Sequence, residues 1–213
     1  MPYIFVDHME IIPLILQVNI KGDFIMNYRI FKVINRLAGN YRILDNLMIY
    51  ISKRARFVYL IVLIVLWFRR DFYKKMALFA GVSVSVTYLL SMVIKLFYFK
   101  QRPFLKHGVY LLPPVPSKKD SSFPSKHTAL AFGLAASLMF YNRILGWSLW
   151  LLSLLVGFSR IFTGQHYPSD IIGSAILGNV SAFVVRQTEQ YWKPFVTRFL
   201  LSYKNFRSSF RGL

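Results

Sequence analysis

The chain has 213 residues, of which 55% are hydrophobic and only 16% are charged, and its mean hydropathy is +0.44. This composition lies outside the range of soluble globular domains and indicates a single integral membrane domain. Because the chain contains no cysteine, disulfides, thiolate chemistry and cysteine-ligated metal sites are excluded.

The net charge of +19 accompanies a strongly apolar sequence. Anionic lipid head groups and a phosphorylated substrate therefore explain it better than a nucleic-acid partner. Only eight side chains are acidic, whereas a magnesium-dependent or two-metal phosphatase needs clustered carboxylates. Any bound phosphate is thus expected to be neutralised by lysine and arginine.

The N-terminal region, residues 1–25, is interpreted as an uncertain extension. Its apolar stretch 11–20 contains Pro13 and follows acidic residues, so it is a poor membrane span, and it lacks the features of a signal peptide. From Met26 the spacing of apolar residues predicts an amphipathic helix, which makes Met26 an alternative start of the protein.

A second amphipathic stretch, 40–52, leads into the basic run Lys53-Arg54-Ala55-Arg56, which suits a membrane surface. The apolar stretch that follows is shorter than the ~20 residues of a span, so the span must borrow residues from this run, whose cations would reach the interface. Five transmembrane helices are predicted in all, at 49–68, 76–99, 125–141, 144–162 and 169–185.

The tail, residues 191–213, alternates aromatic and basic residues at helical spacing, as in a helix that lies on an anionic leaflet. The fold class is therefore an all-α integral membrane bundle. It has about five spans, amphipathic interfacial helices at the N-terminus and a basic interfacial helix at the C-terminus.

Three short segments, here called the site segments, combine cations, imidazoles and a carboxylate where apolar helices meet loops. They are Lys95 with Arg102-Pro103, Pro124-Ser125-Lys126-His127, and Ser159-Arg160 with His166 and Asp170. Alternation of the five spans places all three on the same side of the membrane. The opposite side carries eleven lysines and arginines, which predicts that it is cytoplasmic and that the site segments face outside.

In the first site segment, Lys95 and Arg102 are seven residues apart, which predicts one helical face with the two about 10 Å apart along the axis. Pro103 disfavours helix at Arg102 and should end the helix there. Either cation alone could serve only to complement the helix dipole or to reach the interface. Lys95, however, lies within an apolar run, where an ionisable residue is a functional candidate.

In the second site segment, Ser125 occupies an N-cap position, and a helix N-terminus suits a phosphoryl group. Ser125 and the amide of Lys126 are candidate phosphate donors, and His127 is a candidate general acid. The alternative is that Ser125 only caps the helix and that His127 is an interfacial residue.

In the third site segment, Pro168 fits the first turn of a helix and places Asp170 where the dipole favours its ionised form. Asp170 could orient His166 for attack on phosphorus, and Arg160 could clamp two phosphate oxygens. A structural role for His166 and Asp170 is the alternative. A metal held by His127, His166 and Asp170 is disfavoured because the surrounding cations would repel it.

The ordered pattern Lys-x6-Arg-Pro, Pro-Ser-x-His and Ser-Arg-x5-His-x3-Asp resembles the type 2 phosphatidic acid phosphatase superfamily. Residues 26–32, the Leu44-Asp45 pair and residues 157–161 further resemble its BcrC-type undecaprenyl-diphosphate phosphatases, which are associated with bacitracin resistance. One position departs from the family, because Lys126 stands where glycine, or an acid in BcrC-type members, is usual. The backbone N–H is retained there, so the departure bears on substrate choice more than on catalysis.

The resemblance implies that His166 is a nucleophile that forms a phosphohistidine, that Asp170 orients it and that His127 is the leaving-group acid. It implies that phosphate is held by Lys95, Arg102, Ser125, Lys126 and Arg160, with no cofactor or metal. The expected domain at 26–190 would hydrolyse an isoprenoid diphosphate lipid in the bacterial plasma membrane. Alternatives are a phosphatidylglycerophosphate or phosphatidate phosphatase, and a non-catalytic lipid-binding or transport protein.

Overall fold

A computed structural model describes residues 14–209, with side chains described for residues 25–206. Within these residues the regular secondary structure is entirely helical. The helices are α1 (Leu14–Asn35), α2 (Arg42–Trp67), α3 (Asp71–Phe97), α4 (Pro103–Lys106), α5 (Lys126–Met139), α6 (Arg143–Phe162), α7 (Pro168–Gln187) and α8 (Glu189–Ser209).

Three of these helices, α3, α6 and α7, are long and apolar enough to cross a membrane. Helix α5 has only 14 residues, fewer than the ~20 of an unsupported span. Helix α2 has 26 residues but carries three cations near its middle. The structure thus agrees with an all-helical membrane bundle, and the spans predicted for α2 and α5 stay predictions.

Helix α2 unites two predicted elements. The amphipathic stretch 40–52 and the apolar stretch 57–68 were expected to be an interfacial helix and a separate span, but they form one helix from Arg42 to Trp67. The reason is that residues 42–67 contain neither proline nor glycine to end a helix. Similarly, the helix predicted from Met26 lies inside α1, which begins at Leu14, and residues 1–13 lie outside the described part of the chain.

Helix α5 forms the centre of the bundle, where it packs against α3, α6 and α7. Most of its side chains are small and buried. A Cβ atom on Gly178 of α7 would lie 2.4 Å from the carbonyl oxygen of Ala129 and 2.7 Å from the amide nitrogen of Gly133. The backbones of α5 and α7 therefore touch, as small residues at a helix–helix contact allow.

The outward surface of the long helices is apolar. Large hydrophobic side chains point away from the bundle along α2, α3, α6 and α7, as a lipid-facing surface requires. Examples are Leu60, Ile61, Ile64, Leu89, Leu96, Leu151, Leu155, Ile172, Ile176 and Val180.

Helix α8 contains most of the predicted tail. Val196 is buried against the ends of α3 and α7, and the ring of Tyr203 lies 5.2 Å from that of Trp67 in α2. Phe195 and Phe206 point outward. The tail is therefore docked on one end of the bundle by part of its apolar face. The predicted tail residues Phe210 and Arg211 lie outside the described residues.

The last turn of α1 supports the opposite end of the bundle. The carboxamide of Asn35 donates to the backbone oxygens of Tyr110 (2.8 Å) and Phe162 (2.9 Å) and accepts from the amide of Tyr110. Gly164, in the turn after α6, has φ +80°, and a Cβ there would lie 2.6 Å from the Tyr110 carbonyl oxygen. These contacts fix the loop that carries His166.

Candidate active site

The two cations of the first site segment meet at Asp120. Lys95 Nζ lies 2.9 Å from Oδ1 of Asp120, and Arg102 Nη2 lies 2.9 Å from Oδ2. The prediction that Lys95 and Arg102 share one helical face is wrong, because α3 ends at Phe97 and Arg102 is an extended residue that precedes α4. Arg102 is not helical, as predicted from Pro103, but the helix does not end there, because α3 stops five residues earlier and Pro103 begins α4. A shared carboxylate, not helical spacing, brings the two cations together.

Arg102 also reaches the third site segment. Its Nη1 donates to the backbone oxygen of Gln165 at 3.2 Å and lies 3.1 Å from Nε2 of His166. Burial lowers the pKa of Arg102, and the charge of Asp120 opposes this shift. Burial would raise the pKa of Asp120, but the hydrogen bond and charge of Lys95 more than offset it and lower the pKa. The network is therefore a charged one.

The contact with Arg102 fixes the tautomer of His166. A guanidinium can only donate hydrogen bonds, so Nε2 of His166 is the acceptor and carries a lone pair. In the neutral ring the proton is therefore on Nδ1, which lies 3.5 Å from Oγ of Ser122 and 3.8 Å from Oδ2 of Asp170. This arrangement leaves Nε2 as the nucleophilic nitrogen.

Asp170 is fully buried and is held on both of its oxygens. Oδ1 accepts from Lys100 Nζ at 2.6 Å, and Oδ2 accepts from the hydroxyl of Ser122 and from the amide of Tyr167 at 2.9 Å. Pro168 and Asp170 occupy the first turn of α7, as predicted. The expected direct hydrogen bond from Nδ1–H of His166 to Asp170 is not formed, because the two atoms are 3.8 Å apart, and Ser122 bridges the two residues.

The charge state of His166 follows from its surroundings. Burial lowers the pKa of His166 to about 4 although Asp170 opposes the shift, and the charges of Arg102 and Arg160 add to it. The imidazole is therefore neutral at neutral pH, as a nucleophile requires. Within the described part of the chain, no three His, Asp or Glu side chains are grouped so that they could hold a metal ion.

A cavity of about 510 Å³, here called the polar pocket, lies at the end of α5 and α6. Its lining includes Ser52, Arg56, His127 and Arg160. His127 is exposed to this space and interacts electrostatically with Arg160 and His166. His166 itself is not part of the lining, because it is buried beneath Arg102.

Arg160 offers an unused donor to the polar pocket. Its Nη1 donates to Oγ of Ser52 at 2.7 Å, whereas its Nε has no hydrogen-bond partner among the described residues. Arg160 is only 4% exposed, and a buried guanidinium with an unpaired N–H is costly. An incoming phosphate oxygen would satisfy it.

A second cavity, of about 350 Å³ and here called the apolar groove, continues from the polar pocket along α2 and α5. Ser52, Arg56 and His127 line both cavities. Beyond them the groove is lined by apolar side chains such as Leu63, Leu134 and Val156. The two cavities together can accept a molecule with a charged end and an apolar chain.

The remaining predicted residues are Ser125 and Lys126, and no described hydrogen bond joins either of them to His166. Ser125 precedes α5, but its side chain does not cap the helix. Its hydroxyl is instead 3.1 Å from that of Thr128. Lys126 lines the apolar groove, with Nζ 6.0 Å from the centre of the Tyr88 ring. The structure thus brings the other six predicted residues to one end of the bundle and leaves the ammonium group of Lys126 beside the groove.

Three polar residues of this network were missed by the sequence analysis: Lys100, Ser122 and Asp120. Each pairs with a residue at least 18 positions away, so no local pattern reveals it. The one sequence feature that could have drawn attention to Lys100 is its position between Lys95 and Arg102.

The chain belongs to the PAP2 superfamily, whose sequence profile matches residues 76–194. It is 37% identical over 172 residues to the undecaprenyl-diphosphatase BcrC of Bacillus subtilis strain 168, an alignment that covers 80% of this chain and 88% of that protein. All three site segments lie within the residues that the family profile matches.

Two solved structures are similar in fold. The crystal structure of Aquifex aeolicus LpxE matches with a TM-score of 0.66 and 26% identity, over 76% of this chain and 95% of that one. A transmembrane PAP2-type phosphatidylglycerolphosphate phosphatase from Bacillus subtilis matches with a TM-score of 0.59 over 80% of this chain and 87% of that one, at 19% identity. The second likeness shows the fold alone.

Proposed function

We propose that this chain is a membrane phosphatase that hydrolyses undecaprenyl diphosphate to undecaprenyl phosphate and phosphate, recycling the carrier lipid of the cell wall and contributing to bacitracin resistance. One observation carries the proposal. His166 presents a neutral imidazole whose Nε2 lone pair accepts a hydrogen bond from Arg102 beside a cationic pocket, and that pocket opens into an apolar groove. The 37% identity to an undecaprenyl-diphosphatase supports the substrate class.

The proposed reaction has two steps. Nε2 of His166 attacks the terminal phosphorus, the bond to the bridging oxygen breaks, and its electron pair stays on the departing lipid phosphate, whose oxygen is protonated by His127. Water then attacks the phosphohistidine, giving its proton to His127, and the P–N bond breaks to return the electron pair to Nε2. Asp170 and Ser122 stabilise the positive charge that the imidazole ring of His166 gains during the attack.

Cations bind the terminal phosphate in this mechanism. Arg160 donates a hydrogen bond from its unpaired Nε–H to a phosphate oxygen. Lys95 and Arg102 release Asp120 and bind phosphate oxygens in its place. Ser125 and the amide of Lys126 complete the binding site at the N-terminus of α5. The negative charge of the bound substrate offsets Arg102 and Arg160, and this allows His127 to be protonated.

The apolar groove is proposed to hold the start of the isoprenoid chain. From Ser52 to Leu63 it follows α2 for 11 residues, or about 16 Å along the helix axis. Its walls from α2, α3 and α5 are apolar, and the neighbouring outer surfaces of α2 and α3 suit a lipid environment. The chain could therefore enter sideways from the bilayer.

We place the site on the outer face of the bacterial plasma membrane, with α2 and α5 as spans in addition to α3, α6 and α7. Two observations support this topology. The helix ends opposite the site lie together, since Lys74 contacts Tyr203 and Arg186 contacts Tyr141, and cations at these ends, such as Lys74, Lys75 and Arg186, favour the cytoplasm. Helix α5 can be short because neighbouring helices shield it.

A phosphate-release assay with purified protein tests the proposal. The substrates are undecaprenyl diphosphate, phosphatidate and phosphatidylglycerophosphate, each with and without EDTA. We expect the highest kcat/KM for undecaprenyl diphosphate, no effect of EDTA and a phosphohistidine that can be trapped by acid-free quenching. A higher kcat/KM for phosphatidylglycerophosphate would instead identify the chain as a phosphatidylglycerophosphate phosphatase. Tight lipid binding without phosphate release would identify it as a transport or binding protein.

A further inference from the structure

Arg56 lies where the polar pocket meets the apolar groove. It is exposed and is the only lysine or arginine that lines both cavities among the described residues. Lys53 and Arg54 line the polar pocket alone, and Lys126 lines the groove alone. A charged residue at this junction needs an explanation beyond attraction to the membrane surface.

The position of Arg56 relative to Arg160 is set by α2. Ser52, which accepts the hydrogen bond of Arg160 at 2.7 Å, is four residues before Arg56 and lies on the same helical face. Arg56 is therefore displaced from that contact by about 6 Å along the axis, in the direction of the groove. Within the described part of the chain, no carboxylate forms an ion pair with Arg56. Its guanidinium lies 5.0 Å from the centre of the Phe57 ring.

Two substrate classes differ in what arrives at this junction. In a phosphate monoester the phosphorus under attack is bonded to an alcohol oxygen, which leaves as a neutral alcohol once protonated. In a prenyl diphosphate the leaving group is a second phosphate, which gains negative charge as the anhydride bond breaks. A phosphate monoester has a second pKa of about 6, so this leaving group depends less on the proton from His127 than an alcohol does, and more on a nearby cation.

We propose that Arg56 binds the lipid-linked phosphate of a prenyl diphosphate and stabilises the charge that this phosphate gains in bond cleavage, and that Arg56 thereby selects diphosphate lipids over phosphate monoesters. This inference rests on the proposed function and adds a specificity residue outside the three site segments. A guanidinium can bind two oxygens of one phosphate, and Arg56 lies between the catalytic pocket and the chain-binding groove.

The test compares Arg56→Ala with wild type on farnesyl diphosphate and on dioctanoyl phosphatidate in one detergent. We expect kcat/KM for the diphosphate to fall about 10- to 100-fold, the loss typical of a charge-assisted hydrogen bond, with little change for phosphatidate. Arg56→Lys should recover part of the activity because it keeps the charge. Inhibition of diphosphate hydrolysis by farnesyl monophosphate should weaken in Arg56→Ala, since this product retains the phosphate that Arg56 binds.

Two further variants separate this role from others. Arg42→Ala removes an exposed cation from the start of the same helix, away from both cavities, and should change neither substrate. His127→Ala should harm phosphatidate hydrolysis more than diphosphate hydrolysis, the reverse of Arg56→Ala, because an alcohol needs the proton more.

The outcomes are distinct. Equal losses on both substrates, or unchanged diphosphate hydrolysis and product inhibition in Arg56→Ala, would overturn the role of Arg56 while leaving the phosphatase intact. Wild-type protein that releases phosphate from neither substrate would instead overturn the proposed function, and this inference with it.

Discussion

Nη1 of Arg102 lies 3.1 Å from Nε2 of His166, so a guanidinium covers the nitrogen to which the proposed mechanism assigns the attack. The same guanidinium is held by Asp120. A phosphate that enters the site can replace Asp120 as the anionic partner of Arg102, and the side chain can then turn from the imidazole to the phosphate. Substrate binding and exposure of the nucleophile would be one event.

Replacing His166 tests the nucleophile. His166→Ala should abolish phosphate release and leave no trapped phosphohistidine, because the other histidine of the site, His127, is assigned to proton transfer and not to attack on phosphorus. His107→Ala is the matched control, since His107 stacks on Tyr28 and has no proposed role in the reaction. Substantial phosphate release by His166→Ala, measured with undecaprenyl diphosphate, would rule out the phosphohistidine mechanism.

The pH dependence of kcat/KM reports the protonation of His166 in the free enzyme. Because burial lowers the pKa of His166 to about 4, the ring is neutral above that pH and protonated below it. Loss of activity on the acid side should therefore be centred near pH 4, and not near the ordinary histidine value of about 6.5. Return to pH 7 should restore activity if titration, not unfolding, causes the loss. An acid limb centred near 6.5 would contradict the description of His166 as desolvated.

Asp120 competes with phosphate for Lys95 and Arg102. Asp120→Asn removes this competing charge, so phosphate should inhibit the variant at lower concentrations than wild type. Without phosphate the variant should unfold at a lower temperature, because the buried cations lose their counter-charge. Phosphate should then raise its Tm more than it raises that of wild type. Asp71→Asn, which removes an exposed partner of Lys74, should leave phosphate inhibition unchanged.

Ser122 should act as a positioning residue. Ser122→Ala breaks the bridge between His166 and Asp170, and we expect kcat to fall about tenfold, in line with about 1.4 kcal/mol for one hydrogen bond. The KM should change little, since Ser122 is buried away from the polar pocket. Ser117→Ala, in the exposed loop, is the control. A higher KM with unchanged kcat would show that Ser122 binds substrate instead of orienting the imidazole.

The contact between α5 and α7 should limit stability. Gly178→Ala places a Cβ atom 2.4 Å from the Ala129 carbonyl oxygen, and overpacking of this kind costs about 1–3 kcal/mol. Gly81→Ala is a matched control within α3, because no atom lies within 4 Å of its added Cβ. Thermal unfolding in detergent should show a lower Tm for Gly178→Ala alone. Equal Tm values would mean that the two helices can move apart at little cost.

Local signals explain what could be predicted from the sequence. Pro168 marks the start of α7, as predicted, whereas Pro103, which was expected to end α3, begins α4. The alternation of apolar runs predicts that Arg102, His166 and Asp170 lie at one end of the bundle, and in the structure they do.

Long-range pairing explains what could not be predicted. Asp120 was recognised only as one of a few acids, because its role depends on cations 25 and 18 residues away. Lys100 and Ser122 reach Asp170 across 70 and 48 residues. Helix α2 was also predicted as two elements, 40–52 and 49–68, although neither proline nor glycine interrupts residues 42–67.

The carboxamide of Asn35 joins backbone atoms that lie 75 and 127 residues further along the chain. During synthesis, both hydrogen bonds of Asn35 can therefore form only after the chain has been made as far as Phe162. A chain that terminates before Ser159 would contain two of the three site segments and lack both His166 and Asp170. Premature stop codons anywhere in the first three quarters of the gene should thus yield no partially active product.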